Sequence, residues 1–241
     1  MHNFRWWLAF SSALLLNVLP FSTHAVVNSE VTRVIFNAGD KSTSLALVNS
    51  PLQPALVQIW TDTGNPSSQP NEVVTPVIAL PPVFKMQPGE LRSITLQLTD
   101  TSALPRDREA LYWLNVYQIP PMTQADAQVA QKVVLPLRIR MKLFIRPQGI
   151  GALQESDAEK LRVAYVGPQN QLQITNPTPW HITLAGIRCE AGSASGVMIA
   201  PLATVSIPLQ GGGAPCTSVR YDAINDHGTA WHYEKPVSRQ P

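Results

Sequence analysis

Between residues 132 and 147 the chain reads KVVLPLRIRMKLFIRP, and apolar and cationic residues alternate along it. Val133, Leu135, Leu137, Ile139, Met141 and Leu143 share one parity, while Arg138, Arg140, Lys142 and Arg146 share the other. An extended backbone sends the two sets to opposite faces of a sheet, so the pattern predicts one unusually long β-strand. Pro136 stands inside the pattern and has no amide proton to give to a central ladder, which places that part of the strand at a sheet edge. Soluble proteins normally blunt long apolar edges because the unpaired backbone recruits other chains. Two explanations fit an unblunted one: strand addition to a partner, or an ordinary edge strand whose apolar face covers its own core.

Shorter segments of the same kind recur at 32–36, 44–49, 55–61, 93–98, 111–117, 171–175, 181–185 and 204–208, separated by Pro, Gly, Asn and Asp. This spacing predicts an all-β fold built of sandwiches. The 22 prolines and the 14% share of charged residues agree with it. Helical periodicity is confined to residues 125–131, which read equally well as a polar loop. The turn residues of RPQGIG, at 146–151, end the long strand and mark a domain boundary, giving one domain over 26–147 and a second over 148–241.

The N-terminus does not belong to this pattern. Arg5 precedes an apolar run over residues 6–19, and Thr23, His24 and Ala25 follow at the spacing of a secretory cleavage site. We expect residues 1–25 to be a signal peptide and the mature, exported protein to begin near Val26. The apolar run is short for a membrane span. Its removal takes away Arg5 and no acid, so the formal charge of +2 falls by one. That balance argues against a polyanion such as nucleic acid as partner. The cations gathered at 138–146 point to a particular anionic partner, or to a solvated strand face.

Cys189 and Cys216 are the only cysteines, and in an oxidising compartment a disulfide between them is expected. Metal binding fits less well, since neither has a close CxxC or Cys/His neighbour. No GxSxG elbow, Walker loop, HExxH or GxGxxG is present. His227 and His232 have the wrong spacing for two ligands on one helix turn and read as surface-strand residues. The three glycines at 211–213 read as a loop.

One further stretch is specific. LPRDREALYWLNVYQIPP, residues 104–121, resembles the signature of the periplasmic pilus-assembly chaperones of the chaperone-usher pathway, the PapD-like family, through Leu104, Pro105, Asp107, Arg108, Glu109, Tyr112, Trp113, Asn115, Ile119, Pro120 and Pro121. MKLFIRP at 141–147 resembles the end of the family's long G1 strand. VTRVIF at 31–36 and the Ile224-Asn225-Asp226-His227-Gly228 turn, close to the family's Asn-Asp-Tyr-Gly, complete four matches in order.

The resemblance implies two immunoglobulin-like sandwiches set at an angle around a cleft. It implies that Arg33 and Lys142 anchor the C-terminal carboxylate of a pilin or fimbrial subunit. It further implies that Val133, Leu135, Leu137 and Ile139 are donated into the groove of a subunit lacking its last strand. Glu109, Arg146 and Asp226 correspond to a trio that links the two domains by ion pairs, with three unrelated surface charges as the plain alternative. Residues 122–132 correspond to the F1–G1 connection and look short, as in the branch of the family that serves many rod-like pili. The cysteines depart from PapD, where the pair follows the Asn-Asp turn. The expected function is non-enzymatic: a periplasmic chaperone that hands subunits to an outer-membrane usher, with no cofactor, nucleotide or metal. Self-capping of the free protein as a dimer stays open. The alternatives are a self-assembling structural or adhesive surface protein, which would use the same edge on itself, and a secreted hydrolase, for which no nucleophile is evident.

Overall fold

The computed structural model describes residues 27–119, 121 and 136–240. The expected signal peptide, Val133, Leu135, the 122–132 connection and the 125–131 segment therefore lie outside the described residues. Alternation of buried and exposed positions runs through the strands, as in β3, where Leu45 and Leu47 are buried and their neighbours are not.

The first half folds as β1 (Val27–Ser29), β2 (Arg33–Phe36), β3 (Ser42–Asn49), β4 (Ala55–Asp62), β5 (Val77–Leu80), β6 (Val83–Met86), β7 (Leu91–Leu98), β8 (Ala110–Ile119) and β9 (Leu137–Ile145). They form two sheets, ordered β1-β3-β7-β5 and β2-β9-β8-β4-β6. Phe36, Leu45, Leu47, Val57, Ile94, Leu96, Leu114 and Leu143 fill the space between them. The chain changes sheets between β1 and β2, and this crossing lets β2 pair in parallel with the end of β9.

The second half contains α1 (Glu155–Ala158), β10 (Arg162–Val166), β11 (Gln171–Thr175), β12 (Ile182–Cys189), β13 (Gly192–Ile199), β14 (Thr204–Pro208), β15 (Ser218–Ile224), β16 (Ala230–Pro236) and β17 (Ser238–Gln240). Its sheets are ordered β14-β11-β10-β17 and β13-β12-β15-β16. A separate core of Leu172, Ile174, Ile182, Leu184, Ile187, Val219 and Tyr221 lies between them. The protein is thus nearly all β, in two sandwiches with two hydrophobic cores.

The described part of the long strand differs from a simple edge. β9 pairs with β8 along its whole length, and β2 covers its other side over Lys142–Ile145. Only Leu137–Met141 is open on one side. Alternation also gives way to unbroken burial from Leu143 to Arg146, because both faces of the strand are covered there. Leu137 is 43% exposed and Ile139 packs partly against the first core.

Cys189, at the end of β12, and Cys216, in the loop before β15, form a disulfide with Cα atoms 5.5 Å apart. Both sulfurs are thereby withdrawn as thiolate ligands, although Glu190 lies beside them. His232 is exposed on β16, whereas His227 belongs to the turn after β15 rather than to a strand.

Candidate functional site: the cationic junction between the sandwiches

The parallel pairing of β2 with β9 sets Arg33 directly opposite Lys142, so two cations become neighbours on adjacent strands. Neither forms an ion pair with a carboxylate among the described residues. Lys142 Nζ donates to Thr183 Oγ1 of β12 at 2.8 Å. Arg33 reaches the carbonyl of Ile224 at 3.5 Å through one terminal nitrogen, and its buried Nε has no hydrogen-bond partner. Burial, and then repulsion from Arg33, brings the Lys142 ammonium down to about 8. Burial also lowers Arg33, partly offset by the charges of Asp226 and Glu109. Two partly desolvated cations with unused donors form a ready site for an anion. A groove of about 370 Å³ beside Arg33 is lined by Val31, Arg33, Ile35, Thr43, Asp226 and His227.

The geometry of the junction is fixed by a second group of charges. Arg146 gives both terminal nitrogens to Asp226, at 2.7 and 2.9 Å, and its Nε to Glu109 at 3.0 Å. The structure therefore brings together the three residues Glu109, Arg146 and Asp226. The side chains of Arg146 and Glu109 are 2% and 1% exposed, so this is a buried pair and not a set of surface charges. Burial alone lowers Arg146, but hydrogen bonds and charge from Asp226 and Glu109 outweigh it and raise the guanidinium above its ordinary value. Glu109 does more than sequence reasoning assigned to it. Its other oxygen accepts from the His181 backbone amide and meets His181 Nδ1, both at 3.0 Å, and its own amide donates to Pro179. The His181 ring also lies 5.6 Å from that of Phe144.

The turn that carries Asp226 is built by its sequence. Asn225 Oδ1 accepts from the amides of His227 and Thr229, each at 3.0 Å, and Gly228 adopts a φ of +86°. A Cβ on Gly228 would stand 2.5 Å from Thr32 Oγ1, so glycine lets the turn press against the residue before Arg33.

Sequence reasoning missed Thr183, His181 and Asp62, and named Asn115 only as part of the family signature. It also left open whether Arg138 and Arg140 form a solvated face; they do not. Asp62, at the end of β4, is buried and receives Arg140 at 2.6 Å, with Arg138 at 3.6 Å. Arg146 is paired too, so of the cations at 138–146 only Lys142 has no carboxylate partner among the described residues, and β2 sets Arg33 beside it. Nothing in the local pattern at 138–146 marks this division, because the acids lie far away in sequence.

Two immunoglobulin-like sandwiches joined by a buried ion-pair network, with two cations at the joint that pair with no carboxylate among the described residues, define the class of protein. Residues 26–151 match the family described as pili and flagellar-assembly chaperone, PapD N-terminal domain, and residues 156–235 match pili assembly chaperone PapD, C-terminal domain. The chain belongs to the PapD-like family of pilus-assembly chaperones. It is 34% identical over 238 residues to the chaperone protein FimB/FhaD of Bordetella pertussis, covering 95% of each chain. It is 32% identical over 223 residues to the probable fimbrial chaperone YadV of Escherichia coli, covering 88% of this chain and 91% of that one. Among solved structures, the CupB2 chaperone of Pseudomonas aeruginosa superposes with a TM-score of 0.74 at 28% identity, over 88% of this chain and all of that one.

Proposed function

We propose that this chain is a periplasmic chaperone that holds a pilin or fimbrial subunit by strand addition and delivers it to an outer-membrane usher. Residues 1–25 direct export and are removed near Ala25; the domain division falls between residues 147 and 148, consistent with the two separate cores. The observation that carries the reading is the pair Arg33 and Lys142. These are partly desolvated cations without a carboxylate partner among the described residues; Lys142 directly follows the open stretch of β9, and Arg33 lies opposite it on β2. A subunit's terminal carboxylate supplies the missing anion, accepting from a guanidinium fork and an ammonium.

The donated residues are Val133, Leu135, Leu137 and Ile139, of which Leu137 is the most open among those described. Burying four such side chains contributes roughly 6–12 kcal/mol gross, against an association cost of about 4–15 kcal/mol. Apolar contacts alone therefore leave little surplus. Backbone ladder bonds along Leu137–Met141, and charge-assisted bonds at the anchor worth about 1.5–3 kcal/mol each, supply the rest. The strand gives much of the affinity and the anchor sets the register. The activity is non-enzymatic, without cofactor or nucleotide, and release occurs when another strand replaces the donated one.

The test is recovery of partners with tagged mature protein from its native periplasm. A small secreted β-rich subunit in equal amount supports the proposal. Recovery of this chain alone would favour the self-assembling surface protein instead.

A further inference from the structure

The cationic parity of β9 is held by one buried acid. The Asp62 side chain is fully buried at the end of β4. Its Oδ1 accepts from Arg140 Nη2 and from the amide of Gly64, both at 2.6 Å, and its Oδ2 accepts from Asn115 Nδ2 at 2.8 Å. Asn115 in turn holds Arg138, whose Nε and Nη2 donate to its Oδ1 at 2.8 and 2.6 Å. The two guanidinium groups lie over aromatic rings, Arg138 at 4.8 Å from Trp60 and Arg140 at 4.2 Å from Trp113. Burial on its own raises the Asp62 carboxyl, but hydrogen bonds from Arg140, Asn115 and Gly64 prevail and hold it below the ordinary value.

These contacts fall on the part of β9 that most needs them. Lys142–Ile145 is fixed between β8 and β2, whereas Leu137–Met141 pairs with β8 alone. Because side chains alternate, a one-residue slip of the open part against β8 would exchange its faces. Arg138 and Arg140 would turn toward the side lined by Leu114 and Val116, and Asp62 would stay buried without either arginine. Stranding a buried charge is strongly unfavourable.

We infer that Asp62 is a positioning residue for strand donation: by holding Arg138 and Arg140 on the outer face of the first sandwich, it fixes the register that presents Leu137 and Ile139 to a partner's groove. The role in donation rests on the function proposed above, but the register control is a property of the free protein and is tested there. A failure of the test below therefore leaves the strand-addition reading standing, since that reading is tested separately by recovery of a subunit.

The slip is trapped by cysteines. Val116 faces Ile139 in the observed register, and Tyr117 faces Arg138. A slip of one residue brings position 117 opposite 139, so a disulfide between Tyr117→Cys and Ile139→Cys reports the slipped strand, and one between Val116→Cys and Ile139→Cys reports the observed one. Both pairs are placed in the otherwise unaltered mature protein and in two variants, Asp62→Asn and the uncharged Asp62→Asn/Arg138→Gln/Arg140→Gln. The triple variant leaves no stranded charge and guards against simple misfolding. Backbone amide exchange is measured alongside. We expect the 117–139 cross-link to rise at least threefold in both variants, with exchange over residues 138–141 at least fivefold faster and that of 142–145 unchanged. An unchanged cross-link overturns the inference. So does faster exchange spread evenly over the whole first sandwich, which would make Asp62 a stabiliser of the domain rather than of the register.

Discussion

The Lys142 ammonium donates to Thr183 Oγ1 at 2.8 Å, and this bond links the cation on β9 of the first sandwich to β12 of the second. The two sandwiches therefore share the site as well as a border. Thr183→Val removes the acceptor while keeping the shape. With a net hydrogen bond worth about 0.5–1.5 kcal/mol, subunit affinity should fall by roughly two- to tenfold, and the Lys142 ammonium should titrate lower still. Binding titrations and NMR of the lysine side chain check the two effects.

The position of Lys142 at about 8 has consequences for pH. Its ordinary value is 10.5, so in that interval the unfolded chain holds more protons than the folded one. Free-protein stability attributable to Lys142 is thus lowest below pH 8 and recovers as pH rises toward 10.5. Lys142→Met should stabilise the free protein at pH 7, and the advantage should shrink over the same interval; paired denaturation curves at several pH values measure it. If Lys142 holds a subunit carboxylate, subunit affinity should follow the opposite trend, weakening as pH rises through about 8, because only the ammonium attracts a carboxylate.

At the junction, Arg146 and Glu109 form a buried pair with Asp226 at the more exposed side. Arg146→Ala strands Glu109 and should cost about 3–5 kcal/mol. Asp226→Ala leaves the Arg146–Glu109 bond in place and should cost less, about 1.5–3 kcal/mol, the range for hydrogen bonds to charged groups. Urea unfolding of both variants ranks them, and the reverse order would refute the assignment of Glu109 as the buried partner.

The disulfide ties positions 27 residues apart. In the chain-entropy model a loop of that size contributes about 3–4 kcal/mol. Replacing Cys189 and Cys216 together by serine should therefore destabilise the second sandwich by this amount, while amide exchange in the first core stays unchanged.

How much of this was legible depended on where the partners lie. The parity of 132–147 marks a strand with an apolar and a cationic face, and the family resemblance points to Arg33 and Lys142, which the structure sets opposite each other, because those relations are local or carried by ordered motifs. The pairing of Arg138 and Arg140 with Asp62 was not legible, since the acid stands 78 residues from Arg140 and reaches it only after β4, β8 and β9 assemble. His181 was hidden for a similar reason: it meets Glu109 across the junction, 72 residues away. The extent of the open edge was misread in part, because periodicity does not disclose that β2 would cover Lys142–Ile145. Alternation specifies which way a side chain faces and leaves unspecified what stands on the other side.

The most direct measurement compares the affinity of a recovered subunit ending in its native carboxylate with that of the same subunit lengthened by one glycine, for the unaltered chaperone and for Lys142→Met. If the terminal carboxylate is the anion held at Arg33 and Lys142, lengthening should weaken binding to the unaltered protein by tenfold or more, consistent with about 1.5–3 kcal/mol per charge-assisted bond. It should change little with Lys142→Met, where the anchor is already broken. An equal penalty in both proteins, or none in the unaltered one, would contradict the anchor and with it the central claim.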